Sequence, residues 1–193
     1  NEKLAFQVAY TSSVVQNVLY EVKLGGSLAE YAEVKQVVSV PVSYPARGNE
    51  AENGDCIKKE PGLYPDLVRP LNYRGKVRVI ANQLHSLFVE IKLSEDVDIS
   101  EGNLTISLEK DGETAGTEVL VHVVKAELPP QRLIHPEWFY TDSIAEAYHT
   151  TAFSEKHWKC IERYVKVAVE NGINMIFTPV FTPELDTYIG GER

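Results

Sequence analysis

The chain has 193 residues, 44% of them hydrophobic, and carries 28 acidic against 19 basic side chains for a formal charge of −9. That length can bury one core of about 100 to 150 residues, with some left over for part of a second. No run of Lys or Arg could track a phosphate backbone or an anionic lipid surface, and no apolar stretch approaches the ~20 residues of a bilayer span, so neither nucleic acid nor a membrane is an expected partner.

Leu4, Phe6, Val8 and Tyr10 alternate from the fourth residue onward, and Asn1-Glu2-Lys3 lacks the regions of a signal peptide. The expectation is a chain that starts inside a folded element, as a processed or truncated product would. Seven segments show this period-two alternation, near 3–11, 14–24, 31–44, 76–81, 84–93, 103–109 and 117–125. Val18, Tyr20, Val22 and Leu24 share one face of the second, while Leu87, Val89, Ile91 and Leu93 do so in the fifth. Leu104, Ile106 and Leu108, then Val119, Val121 and Val123, continue the pattern. Asp111-Gly112 stands between the last two strands, where a hairpin reversal needs positive φ. Residues 45–75 hold Pro45, Gly48, Gly54, Pro61, Gly62, Pro65, Pro70 and Gly75, and read as one long loop.

Seven short strands without an intervening helical pattern predict a mainly β fold, an antiparallel, immunoglobulin-like β-sandwich over residues 1–128. An antibody-type adhesion domain is disfavoured because its Cys-Trp-Cys framework is absent. Pro129-Pro130 opens a linker and loop over 129–153. Ser154 then caps a helix over Glu155–Asn171, in which Trp158, Ile161, Val165 and Ala168 share a face with Tyr164 and Val169, and Gly172 stops it. His157 is expected to serve the first turn or the surface. An apolar strand at 173–178 follows, so that 154–193 reads as one helix and the first strand of an incomplete (β/α)8 barrel.

No phosphate-binding glycine loop, Gly-x-Ser-x-Gly elbow, His-Glu-x-x-His helix or cysteine-pair metal site occurs, so no cofactor and no metal are expected. Cys56 and Cys160 have no ligand spacing and read as two unpaired thiols, compatible with a reducing compartment. A cytoplasmic location is favoured, with secretion left open if a leader is removed upstream. Polar and aromatic residues cluster on either side of the helix. The candidate substrate-binding set is Trp138, Tyr140, Asp142 and His149 before it, and Thr178, Phe181, Thr182, Asp186, Glu192 and Arg193 after it. Aromatic rings cover the apolar face of a sugar while carboxylates and amides bond its hydroxyls, and the segment beyond a barrel strand faces the active site. The alternatives are that Trp138 and Tyr140 bury a seam between domains and that His149 caps a turn.

The stretches Glu2–Tyr10 (EKLAFQVAY), Gly62–Leu67 (GLYPDL), Asp142–His149 (DSIAEAYH) and Asn171–Thr187 (NGINMIFTPVFTPELDT), with Gly190-Gly191-Glu192-Arg193 at the end, resemble bacterial proteins similar to glycoside hydrolase family 123. The resemblance implies an N-terminal β-sandwich before a catalytic (β/α)8 barrel acting on glycans. The family's founding activity is endo-β-N-acetylgalactosaminidase, in which the substrate's acetamido oxygen attacks the anomeric carbon, assisted by adjacent Asp and Glu residues. That pair lies deeper in the barrel than this chain reaches, so no catalytic residue is assigned here. Glu95-Asp96 stands in the opposite order on a sandwich loop and reads as surface charge. The expected partners are a carbohydrate, bound by the complete protein, and the remaining barrel segment of the same protein. The alternative is a non-catalytic β-sandwich module that binds a carbohydrate or a protein.

Overall fold

The structure is a computed structural model and describes residues 2–14, 17–43, 59–72, 74–94 and 97–178. The chain divides into two units, Asn1–Leu128 and Pro129–Arg193. Eight strands make up the first unit: β1 (Lys3–Tyr10), β2 (Asn17–Gly25), β3 (Ala32–Val42), β4 (Gly62–Pro70), β5 (Lys76–Ile80), β6 (His85–Lys92), β7 (Glu101–Lys110) and β8 (Glu113–His122). They form two four-stranded antiparallel sheets, ordered β1-β6-β3-β4 and β5-β2-β7-β8.

Alternation decides which side chains meet. Phe6 and Val8 lie opposite Val89 and Leu87 in the β1–β6 register, and Val22 and Leu24 lie opposite Leu108 and Ile106 in the β2–β7 register. Directly opposed residues share a face, so each sheet gathers one apolar surface. Leu87, Val89 and Ile91 from one sheet and Val77, Leu104 and Ile106 from the other are buried in a single cluster, a sandwich-like arrangement. At the β7–β8 hairpin Asp111 (φ 49°) and Gly112 (φ 86°) both take positive φ, as a tight two-residue reversal requires.

The seventh member of that cluster comes from no strand. Leu28 follows β2, and a short 3-10 turn, Ala29–Tyr31, comes between it and β3. Its backbone N–H donates to the Asn103 carbonyl at 3.0 Å. Ser27 locks the same junction: its N–H and hydroxyl donate to Asn103 Oδ1 at 3.0 and 3.1 Å, and Asn103 N–H donates back to Ser27 Oγ at 3.0 Å. Gly102 leaves the room, since a Cβ there would sit 2.7 Å from Leu28 Cγ. The result is a side chain with no exposed surface.

The expected loop over 45–75 is corrected by β4. Gly62–Pro70 pairs with β3, and the register shifts between Val38 and Ser39, where Pro65 enters. Proline is admitted because β4 is the sheet's edge, where a ladder N–H is dispensable. Residues 44–58, Cys56 among them, lie outside the described residues, as do Glu95 and Asp96.

Opposite the core, Glu90 of β6 accepts from Lys3 at 3.0 Å and from Lys35, which also pairs with Glu33 at 3.2 Å. The Lys35 hydrogen bond, then that of Lys3, holds the Glu90 carboxyl below its ordinary range, and Glu90 in turn raises the Lys35 ammonium.

In the second unit, β9 (Pro136–Trp138) leads into α1 (Thr141–Ala147), α2 (Glu155–Glu170) and β10 (Met175–Phe177). The stretch expected as linker and loop therefore contains a strand and a helix, and Met175–Phe177 is the second strand of its unit. Neither addition is periodic enough to see: β9 is three residues starting on a proline, and α1 spans two turns. β10 lies parallel to β9, pairing Met175 with Pro136, Ile176 with Glu137 and Phe177 with Trp138. Asn174 sets that register from below, since its Oδ1 accepts from His135 N–H at 2.8 Å and its Nδ2 donates to the Leu133 carbonyl at 2.9 Å.

α2 begins and ends where its sequence directs. Ser154 Oγ accepts from His157 N–H at 3.3 Å. At the other end Gly172 (φ 84°) closes a Schellman motif, with Gly172 N–H on Val169 O and Ile173 N–H on Ala168 O. Its buried face is His157, Cys160 and Ile161, with Val165 beside them. Trp158, Tyr164 and Val169 are exposed. The expected face was thus rotated, because a buried histidine was counted as polar.

Two outcomes follow for the first unit. Leu28→Ala should cost about 2–5 kcal/mol in urea unfolding, since the rigid Asn103–Ser27 junction prevents collapse into the cavity. Glu90's pKa is depressed on folding, so its contribution is complete above the unfolded carboxylate value and drains away as pH falls through the lowered one. Lys35's is raised, so its contribution is present below the ordinary lysine value and is lost as pH rises through the raised one. Glu90→Gln should flatten both limbs of stability against pH, measured by denaturation across a pH series.

Candidate functional site

β9 sends its alternate side chains to two destinations. Phe139, just past the strand, faces the helices: it packs against the cluster of Ile144, Cys160 and Ile161, and its ring lies 6.4 Å from that of Tyr164. Trp138 and Tyr140 take the other side. Their rings stack at 6.0 Å with an interplanar angle of 15°, and Phe177, the cross-strand partner of Trp138, adds its ring at 5.5 Å. Phe139 N–H donates to the Phe177 carbonyl at 2.7 Å, extending the parallel ladder to the foot of α1. Trp138 is 68% exposed, so the trio presents an open aromatic surface at the C-terminal ends of the two parallel strands.

Asp142 stands in the first turn of α1, two residues beyond Tyr140. Both of its carboxylate oxygens are shut off from solvent and have no hydrogen-bond partner among the described residues. Buried polar atoms are nearly always paired, because an unpaired one forfeits its hydration for nothing. The helix N-terminus offsets part of that cost through its dipole.

The turn that carries Asp142 is held from behind by His157. This side chain is completely buried, so of the expected surface or first-turn roles it takes the first-turn one. Its Nδ1 accepts from Phe153 N–H at 2.8 Å, so Nε2 carries the proton and donates to the Thr141 carbonyl at 2.7 Å. One imidazole thereby ties the α1–α2 loop to the residue before Asp142. A helical hydrophobicity pattern treats His as polar and misses it, although its position between Ser154 and Ile161 on the buried face was available.

Of the other expected site residues, His149 closes α1. It takes a left-handed conformation (φ 47°), its N–H donates to the Glu146 carbonyl, and Thr150 N–H reaches Ala145 O, completing a Schellman motif. No contact among the described residues brings His149 to Trp138, Tyr140 or Asp142. Thr178 directly follows β10 and is exposed. Phe181, Thr182, Asp186, Glu192 and Arg193 lie outside the described residues. Phe177 was not anticipated, because only strand pairing places it beside Trp138. No group of three or more His, Cys, Asp or Glu side chains among the described residues is arranged to hold a metal ion.

Residues 138–190 match the model of the glycoside hydrolase 123 catalytic domain, a span that opens on Trp138 itself. Over those residues the chain is similar to that catalytic domain. A solved structure of a family 123 glycoside hydrolase from Clostridium perfringens, described in terms of glycolipid glycan hydrolysis, superposes with a TM-score of 0.72 at 16% identity over 91% of this chain. This chain spans 31% of that one. No curated protein sequence matches it. The family 123-like region and the aromatic and carboxylate cluster therefore coincide in sequence.

A buried carboxylate with no partner among the described residues costs at least about 1–3 kcal/mol, against roughly 0.3–1 kcal/mol returned by the helix terminus. Asp142→Asn is accordingly expected to stabilise the free chain by about 1 kcal/mol in chemical denaturation. A destabilised variant would mean the carboxylate has a structural partner.

Proposed function

We propose that the chain forms the accessory β-sandwich and the catalytic-barrel entrance of a glycoside hydrolase, with β9 and β10 as the first strands of a (β/α)8 barrel. The observation that carries the reading is the stack of Trp138, Tyr140 and Phe177 at the C-terminal ends of parallel strands joined through helices, with Asp142 two residues beyond Tyr140 in the first turn of α1. Barrel active sites occupy that end. The aromatic surface lies on the side of the strands away from the helices, which in a barrel is the interior. Parallel strands are normally covered on both faces, and Trp138, Met175 and Phe177 are exposed. That uncovered face supports further barrel elements against it.

In this reading Trp138 and Tyr140 stack on a sugar ring. Thr178 follows β10 at the same end of the strands. The general acid and the carboxylate that orients an acetamido group come from later strands, so binding and bond cleavage are divided along the polypeptide. Substrates bearing N-acetylgalactosamine are the proposed class, on the family likeness.

The 193-residue chain should therefore release no aryl alcohol from an aryl β-N-acetylgalactosaminide, while a polypeptide continuing through the whole barrel does so. Turnover by the purified chain itself would place the catalytic acid within it and overturn the division.

A further inference from the structure

A second cleft, of about 1090 Å³, lies in the first unit between the edge strands β4 and β5, with parts of β1, β3 and β6 in its wall. It exceeds the ~300–1,000 Å³ usual for a small-molecule site. In a chain with 28 acidic residues among 193, none of the described lining residues is acidic, while Arg69, Lys76 and Arg78 all contribute. Glu21, which faces Lys76 across the β2–β5 register and feels its charge, gives its ion pair to Lys23 at 2.5 Å.

Three neutral polar side chains of the wall are turned the same way. Ser86 Oγ donates to Gln7 Oε1 at 2.7 Å, leaving the Gln7 amide hydrogens to donate. Asn72 Oδ1 accepts from the N–H groups of Arg74 and Lys76 at 3.0 and 2.9 Å, again leaving its NH2. His85 Nε2 accepts from Ile80 N–H at 3.1 Å, so its proton is on the other nitrogen. In Gln7, Asn72 and His85 internal hydrogen bonds occupy an acceptor and leave donors. A lining of donors and cations recognises an acceptor-rich anion.

From this geometry we infer that the cleft binds an anionic oligosaccharide of several residues, bearing carboxylate or sulfate groups. Arg69 and Lys76 meet the charges, the amides of Gln7 and Asn72 donate to the remaining oxygens, and the exposed Leu63 and Leu84 cover the C–H faces of the rings. An acidic peptide added as an extra strand fits less well, because Pro65 and Pro70 deprive the β4 edge of N–H donors. The inference rests on residues 7–86 alone and is independent of the reading of β9 and β10.

Calorimetric titration of the full chain with four probes of matched length tests it: an oligogalacturonate, a heparin-derived oligosaccharide, a neutral malto-oligosaccharide and an oligoglutamate. At least one anionic sugar should bind, more weakly as salt is raised, and the first two probes distinguish carboxylate from sulfate recognition. Arg69→Gln with Lys76→Gln should weaken binding by about ten-fold or more, the scale of losing charge-assisted hydrogen bonds, while Arg69→Lys with Lys76→Arg retains most of it. Thermal unfolding checks that each variant folds. If the neutralised variant does not, amide shifts of the unaltered chain decide, and they must centre on β4, β5 and the start of β6. Equal binding of the neutral sugar, equal or tighter binding of oligoglutamate, unchanged affinity in the neutralised variant, or no binding by either anionic sugar would each overturn the inference.

Discussion

The parallel pairing of β9 with β10 is the constraint on which the functional region depends. Two parallel neighbours cannot be joined by a tight turn, so the chain must leave the end of one strand, cross through helical structure and re-enter at the start of the other. α1 and α2 make that crossing, and their ends are closed tightly: His149 and Gly172 each terminate a helix in a left-handed residue, and Ser154 starts the second. The pairing places Phe177 against Trp138, and the departure into α1 places Asp142 just beyond them. The rim is a by-product of crossover geometry before it is a site.

The two units differ in how far they satisfy themselves. In the first, two sheets cover each other and Leu28 plugs the junction, although Leu63, Leu67 and Leu84 stay exposed. The second spends little. Its small cluster of Ile144, Cys160 and Ile161 joins the helices, while Trp138, Met175, Phe177 and much of α2 remain exposed. Residues held open, together with a carboxylate buried without a donor among the described residues, are stability forgone. Such forfeits gather where a protein has something else to contact.

His157 shows how closely packing and function are joined here. It is the most deeply buried polar group of its unit, yet both ring nitrogens are satisfied by backbone. Fixing one tautomer lets a polar side chain replace an aliphatic one in the core while orienting the turn that presents Asp142. The first unit uses the same device in its cleft, where Ser86, the backbone around Asn72 and Ile80 N–H orient Gln7, Asn72 and His85.

Period-two alternation by itself determined most of the first unit, because a sheet with one wet face must alternate, and the Asp111-Gly112 reversal was legible because few residues accept positive φ. The Ser154 cap and the Gly172 stop were legible for equally local reasons. The tertiary structure decided what no local rule carries. β4 is a strand despite two prolines only because its place at an edge excuses them, and Leu28 is core only because Asn103, far along the chain, receives it. β9 is too short to be periodic and exists through its pairing with β10. That the Trp138–Tyr140 stack meets Phe177 follows from a crossover linking residues some forty positions apart, a relation that spacing along the chain does not encode.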